Sequence, residues 1–369
     1  MRILFVSYGV YEYDGRTREL MKVANLLGVS TFVTMVDSLE GRSHSDDKHI
    51  RVKKGKFAFC RFIFRALKTS FRMKQIDILF IDNRRAIIPG LLIRLLKRPR
   101  IIIQDVRELY LISEVNHFAG KLGCIVERSL ISRASVLICA NDHRSEIMKE
   151  HFSLNEKPLV FENIRKLVSD DFAPIGELES KYGSLLQKKT FRIISTSGYS
   201  ISRTNDKLVL AMKQLGSEFE LFLVGGGSKR DRMRIEKIIG ENHIQNVNLI
   251  GRVKENELKY LIQQCHLGVV NYNSENTNNR FCASGKIYEF LFEGLPVVTT
   301  ENVTLVEFVN KYKVGIADNQ YLKGIIRIKQ EYDQFKKSVL SFVNILNVEE
   351  NNARLAKQII EHIGTSGRQ

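Results

Sequence analysis

Residues 283–298 read Ala-Ser-Gly-Lys-Ile-Tyr-Glu-Phe-Leu-Phe-Glu-Gly-Leu-Pro-Val-Val and hold the groups needed to grip a phosphorylated nucleoside. Gly285 has no Cβ and lets backbone approach a ligand closely. Ser284, Gly285 and Lys286 open a predicted helix, whose unpaired N–H groups and positive dipole end suit a phosphate. Glu289 lies one turn further in, where a carboxylate accepts hydrogen bonds from ribose hydroxyls. Gly294-Leu295-Pro296 ends the helix, and Val297-Val298-Thr299 starts a strand.

The elements that must position this stretch follow from hydrophobic patterning. In the first half, short apolar runs at residues 3–6, 31–36, 78–81, 101–103 and 136–139 alternate with helical patterns, the first at 17–27. Strands separated by crossover-length helices predict a parallel, doubly wound sheet. The pattern ends near residues 159–161, and 163–190, with Pro174, Gly176 and Gly183, reads as a connector. A second alternation runs through 191–195, 221–224, 247–250, 267–270 and 297–299, and the tail from 321 to 363 reads as helical. The expected organisation is α/β with two Rossmann-like doubly wound domains facing a cleft. They span residues 1–165 and 166–349.

Other strand-to-helix loops carry polar or glycine-rich sequence. They are Gly198-Tyr199-Ser200-Ile201-Ser202-Arg203, Gly225-Gly226-Gly227 and Gly251-Arg252-Val253 in the second half. The first half has Tyr13-Asp14-Gly15-Arg16-Thr17, where Asp14 also reads as a helix N-cap, and Gln104-Asp105-Val106-Arg107-Glu108. For Asp105 and Glu108, capping plus an ion pair with Arg107 stands beside a ligand-binding role. Residues 271–280 form a polar loop with Glu275 and Asn279 next to the principal stretch.

The principal stretch resembles the nucleotide-sugar signature of GT-B-fold glycosyltransferases of family 4, which are retaining enzymes. Glu289 stands five residues before Gly294, as that family's second glutamate does; the position of its partner glutamate is Phe281. Arg203 falls where the family has a phosphate-binding lysine, and Tyr199 replaces the family arginine. The resemblance implies that Arg203, Lys286 and Glu289 serve the reaction. It implies that Gly15, Gly198, Gly225, Gly226, Arg252, Ser284, Gly285 and Ile287 line the donor. Asp105, Arg107 and Glu108 fall on the acceptor side, with Arg107 at the family's histidine position and suited to an acceptor phosphate. Lys286 or Lys207 is expected to substitute for the missing arginine. The implied donor is a UDP- or GDP-sugar, with no cofactor and no metal; no Asp-x-Asp occurs. The resemblance, and not the patterning, also implies that a C-terminal helix at 350–369 packs back on the first domain.

The net charge of +16 favours anionic partners. Residues 53–74 carry eight cations and no acid, with Arg61, Arg65, Lys68 and Arg72 on one helical stripe among aromatics. With the basic cluster at 94–100, this is the pattern of a helix lying on an anionic membrane surface. The alternative is an ordinary helix with a solvated basic face. No nucleic-acid module is recognisable. Five scattered cysteines predict reduced thiols, and the absence of a signal peptide or an apolar run of spanning length predicts a cytoplasmic protein peripheral to the membrane. The expected activity is sugar transfer to a lipid-linked or oligosaccharide acceptor in glycan or polysaccharide assembly. A sugar-nucleotide epimerase and a non-catalytic GT-B membrane- or partner-binding protein are the alternatives.

Overall fold

The computed structural model describes residues 1–37, 48–167 and 174–366, arranged as two compact units. The first comprises Met1–Asn163 and Asn347–Gln369; the second is Ile164–Leu346.

In the first unit the chain runs β1 (Arg2–Val10), α1 (Gly15–Leu27), β2 (Val29–Val36), β3 (His49–Lys53), α2 (Ala58–Arg72), β4 (Ile78–Asp82), α3 (Ile87–Lys97), β5 (Ile101–Asp105), α4 (Phe118–Ile131), β6 (Val136–Cys139), α5 (Asp142–Phe152) and β7 (Leu159–Val160). All pairings are parallel, in the order β3-β2-β1-β4-β5-β6-β7. The central strands are apolar on both faces, as a sheet covered by helices on each side requires: Ile3, Leu4, Phe5 and Val6 are fully buried. The order reverses between β1 and β4. This places the carboxyl ends of β1, β4 and β5 at the switch point where open α/β sheets form sites. Strand β3 is absent from the sequence reading, because its alternating His-Ile-Arg-Val-Lys pattern is that of a short, half-polar edge.

The second unit runs α6 (Ile175–Leu186), β8 (Phe191–Ser195), α7 (Asn205–Leu215), β9 (Phe219–Val224), α8 (Lys229–Glu241), β10 (Val247–Gly251), α9 (Glu255–Gln263), β11 (Leu267–Val270), α10 (Thr277–Arg280), α11 (Gly285–Phe292), β12 (Val297–Thr299), α12 (Val303–Tyr312), β13 (Gly315–Ala317), α13 (Leu322–Gln330) and α14 (Tyr332–Val343). Its six strands are ordered β10-β9-β8-β11-β12-β13, again all parallel. The expected connector at 163–190 contains α6, whose Leu178 and Tyr182 sit one turn apart and are buried in this unit's core.

The last helix, α15 (Val348–Ser366), belongs to the first unit. Its Leu355, Ala356 and Ile359 pack with Leu20, Val23, Ala24 and Leu27 of α1. Asn352 donates from Nδ2 to the buried Glu19 carboxylate at 2.7 Å.

Candidate active site

In the second unit, the loops leaving β8, β9 and β10 are stitched together by backbone. Gly198 N–H donates to Val224 O at 3.0 Å, Tyr199 N–H to Gly226 O at 3.2 Å, and Gly225 N–H to Gly251 O at 2.6 Å. Gly198 has a φ of +63°, and a Cβ there would stand 1.9 Å from the Gly226 carbonyl oxygen. Gly225 has a φ of +123°, and a Cβ there would stand 3.0 Å from the Gly198 nitrogen. These glycines are required by loop-to-loop approach as well as by backbone conformation. Tyr199 is buried against Gly227 and Gly251, so at the position of the family arginine it packs rather than carrying charge. Arg252 lies against Gly226, its Nη2 3.4 Å from where a Cβ would sit.

The N-terminus of α11 closes this side. Its N-cap, Ser284, makes no side-chain capping bond. The Ser284 hydroxyl and the Thr196 hydroxyl after β8 are both buried without a hydrogen-bond partner among the described residues. Beside them Lys286 donates from Nζ to the Thr196 carbonyl at 2.8 Å. Burial and then repulsion from Arg203 pull the Lys286 ammonium down to about 7, with Glu289 opposing and Arg165 reinforcing the shift. Arg203 is held by stacking on Tyr272, its guanidinium carbon 3.7 Å from the ring centroid. Lys207 is exposed on α7, so Lys286 is the cation that stands with Arg203.

Glu289 is buried and already engaged. Arg165 Nε donates to Glu289 Oε1 at 2.6 Å, and Arg165 Nη2 lies 2.6 Å from the same oxygen. The guanidinium rests over Gly285, where a Cβ would come within 2.5 Å of its central carbon. The space that Gly285 was expected to leave for a ligand is therefore taken by Arg165. The Ile287 side chain belongs to the unit's core, which leaves its backbone at the start of α11 as the part that faces the donor side. Asn302, buried between two carbonyls of the polar loop, donates to Asn273 O at 3.0 Å and Asn279 O at 2.9 Å. Glu275 and Asn279 thus sit on an anchored loop. Arg165 and Asn302 are absent from the sequence reading, and Tyr272 enters it only as part of the polar loop 271–280; all act across long sequence separations, and no local motif marks their roles.

In the first unit a second polar cluster fills the carboxyl ends of β1, β4 and β5. Asp14 caps α1 by accepting from Thr17 N–H at 3.1 Å, and Gly15 is the buried first residue of that helix. Arg107 donates to Asp82 at 2.6 and 2.8 Å, to Thr17 Oγ1 at 2.6 Å, and pairs with Asp14. Asp105 is held by a two-point bond from Arg16 at 2.6 and 2.8 Å, and Arg16 also donates to Phe161 O and Asn163 Oδ1, each at 2.7 Å. Gly9 leaves room for all this: a Cβ would stand 2.4 Å from Asp14 Oδ2 and 2.5 Å from Thr17 Oγ1.

Burial pushes Asp82 up to about 6, with Arg107 opposing and Asp105 and Asp14 adding to the rise. Burial also opposes charge on Arg107, but Asp82, Asp14 and Asp105 outweigh it and hold the guanidinium protonated. Arg107 is thus neutralised by the protein's own carboxylates, which corrects the expectation that it is available for an acceptor phosphate. Asp105 is likewise satisfied by Arg16. Of the three expected acceptor-side groups only Glu108 is exposed, and it accepts from Tyr110 Oη at 2.5 Å. Among the described residues no group of three or more His, Cys, Asp or Glu is arranged to hold a metal ion.

Residues 197–328, which include the glycine turns, Arg203, Lys286 and Glu289, match the family model for Glycosyl transferases group 1. No curated protein sequence gives a significant match. Among solved structures, sucrose-phosphate synthase from Thermosynechococcus elongatus aligns with a TM-score of 0.71 at 15% identity, over 99% of this chain and 100% of that one. The HepE protein of Anabaena in complex with UDP-glucose aligns with a TM-score of 0.69 at 17% identity, over 98% and 100%. UDP-GlcNAc 2-epimerase from Neisseria meningitidis bound to UDP-GlcNAc aligns with a TM-score of 0.59 at 13% identity, over 99% and 100%. At such identities the likeness fixes the fold: two Rossmann-like units of the GT-B type.

Proposed function

We propose that the protein is a retaining glycosyltransferase that moves a sugar from a UDP- or GDP-sugar to a glycan acceptor carried on a lipid. The observation that carries this reading is the convergence of Lys286, Arg203 and the uncapped N-terminus of α11 beside the buried Glu289 carboxylate. Cations and unpaired N–H groups there stabilise the charge that develops on a departing nucleoside diphosphate. Glu289 accepts the ribose hydroxyls, and the Gly198 and Gly225–Gly226 turns let the diphosphate lie against backbone. The acceptor hydroxyl attacks the anomeric carbon from the face the diphosphate leaves, and the leaving phosphate takes its proton. Calorimetric titration with UDP, GDP and their common sugars tests the site. One nucleotide is expected to bind saturably, and Glu289→Ala to weaken it about tenfold or more, the worth of a hydrogen bond to a charged group. Unchanged affinity in that variant removes Glu289 from the site.

The epimerase likeness favours a second reading, in which the same donor site acts on the sugar nucleotide alone. Incubation with UDP-GlcNAc and no acceptor separates the two: a new sugar-nucleotide epimer supports the epimerase, and sugar release or transfer supports the transferase.

The lipid carrier rests on the first unit's surface. On α2 and its N-cap, Phe57, Phe64 and Phe71 are 68%, 62% and 61% exposed at heptad spacing, while Phe62 and Ala66 face the core. Arg61, Arg65, Lys68 and Arg72 share the exposed side. Helix α3 packs between α2 and α4. It exposes Leu92, Leu95 and Leu96, and α4 exposes Phe118, Leu122 and Ile125. Aromatic and aliphatic side chains flanked by cations suit an anionic bilayer surface. No helix among the described residues is long and apolar enough to cross a membrane. The protein is expected to sediment with phosphatidylglycerol-containing vesicles and not with phosphatidylcholine alone. Losing two cations in Arg65→Gln/Lys68→Gln removes about 2 kcal/mol, a roughly thirtyfold weakening. Equal binding to both vesicle types, or to neither, contradicts the proposal.

A further inference from the structure

We propose that Arg165 is a positioning residue that orients the Glu289 carboxylate for the ribose of a bound nucleotide. The inference rests on the nucleotide site described above and assigns a role to a residue outside every motif of the sequence.

The geometry supports orientation rather than simple pairing. Arg165 Nε and Nη2 both stand 2.6 Å from Oε1 of Glu289, and among the described residues no donor is seen on Oε2. A ribose presents two adjacent hydroxyls, and a carboxylate fixed in rotation by a fork on one oxygen offers the other in a defined direction. Arg165 is itself fixed. Ile164 and Leu167 on either side pack into the second unit's core, and Lys166 lies 4.8 Å over the Phe292 ring of α11. The Arg165 side chain is 20% exposed and that of Glu289 8%, so the pair is shielded but open on one side. Gly285 completes the arrangement, since any Cβ there collides with the guanidinium. A pre-set carboxylate loses less freedom when ligand binds, which is how a supporting side chain contributes to affinity.

The test compares UDP with 2′-deoxy-UDP, and GDP with 2′-deoxy-GDP, by calorimetry on the whole protein. The variants are Arg165→Ala, Arg165→Lys, Glu289→Ala and the double Arg165→Ala/Glu289→Ala, each checked by thermal melting. The wild type is expected to prefer the ribonucleotide about tenfold or more, the worth of one charge-assisted hydrogen bond. Arg165→Ala and Glu289→Ala should each bring that preference close to unity, and the double variant should lose nothing further. Arg165→Lys restores the charge without the fork, so it should regain thermal stability but not the preference. A folded Arg165→Ala that keeps the full preference while Glu289→Ala loses it overturns the inference and leaves the site intact. If Arg165→Ala does not fold, an undiminished preference in Arg165→Lys overturns it equally. No binding of either nucleotide by the wild type overturns the site, and this inference with it.

Discussion

Replacing Lys286 with methionine is expected to lower kcat by about 10²–10³, the cost of removing one preorganised stabiliser of developing negative charge. A sharper consequence concerns protons. Burial and the neighbouring Arg203 and Arg165 pull Lys286 down to about 7, so at pH 8 the ligand-free side chain is largely neutral. A bound diphosphate favours the charged form and raises its pKa, so binding at pH 8 takes up close to one proton. At pH 6 the lysine is charged before and after binding, and its uptake vanishes. Affinity for the diphosphate therefore falls as pH rises above 7, until the pKa of the bound state is passed. Calorimetry at pH 8 in buffers of different ionisation enthalpy reads the uptake directly. Its absence in the wild type, or its persistence in Lys286→Met, contradicts the role given to Lys286.

Arg107→Ala is expected to cost about 3–5 kcal/mol of stability, as breaking a buried ion pair from one side does. The guanidinium satisfies both oxygens of Asp82 and also holds Asp14 and Thr17; without it, two carboxylates at the sheet's switch point lose their cation. The effect should depend on pH. In the wild type Asp82 titrates at about 6 in the folded chain against 3.8 in a free carboxyl. A raised carboxyl binds more protons folded than unfolded, so its contribution favours the folded state below about 4 and is lost as pH rises through 6. Removing Arg107 takes away the largest influence holding Asp82 down, so the variant's deficit should be larger at pH 8 than at pH 5. Urea unfolding at both values measures this. A loss below about 1 kcal/mol, or one equal at both pH values, contradicts the network as described.

Much of this architecture was legible in the sequence because parallel strands buried on both faces write themselves as uninterrupted apolar runs. The runs at 3–6, 78–81, 101–103 and 221–224 all lie within strands. The turn chemistry was equally local: Asp14 caps α1, and Gly294, with a φ of +78°, follows α11. The helix α6 was hidden because Pro174, Gly176 and Gly183 dominate a segment whose core-facing helical signal is limited to Leu178, Tyr182, Leu185 and Leu186. Site partnerships were hidden for a different reason. Arg165 and Glu289 are 124 residues apart, and Arg107 and Asp82 are 25 apart on different strands' ends. A motif displays a charged residue but not the counter-charge that folding brings to it. Arg107 therefore read as an available cation, while Arg165 did not register at all.

The central claim, transfer of sugar from a nucleoside-diphosphate donor held at α11, is tested most directly by nucleotide release. The purified protein is incubated with a panel of UDP- and GDP-sugars, with and without vesicles bearing lipid-linked saccharides, and free nucleoside diphosphate is measured over time. The account predicts release from one sugar nucleotide, accelerated by acceptor, with the donor's anomeric configuration kept in the product and the rate lost in Lys286→Met. No release from any donor by a folded wild type, or release that Lys286→Met leaves unchanged, would contradict it.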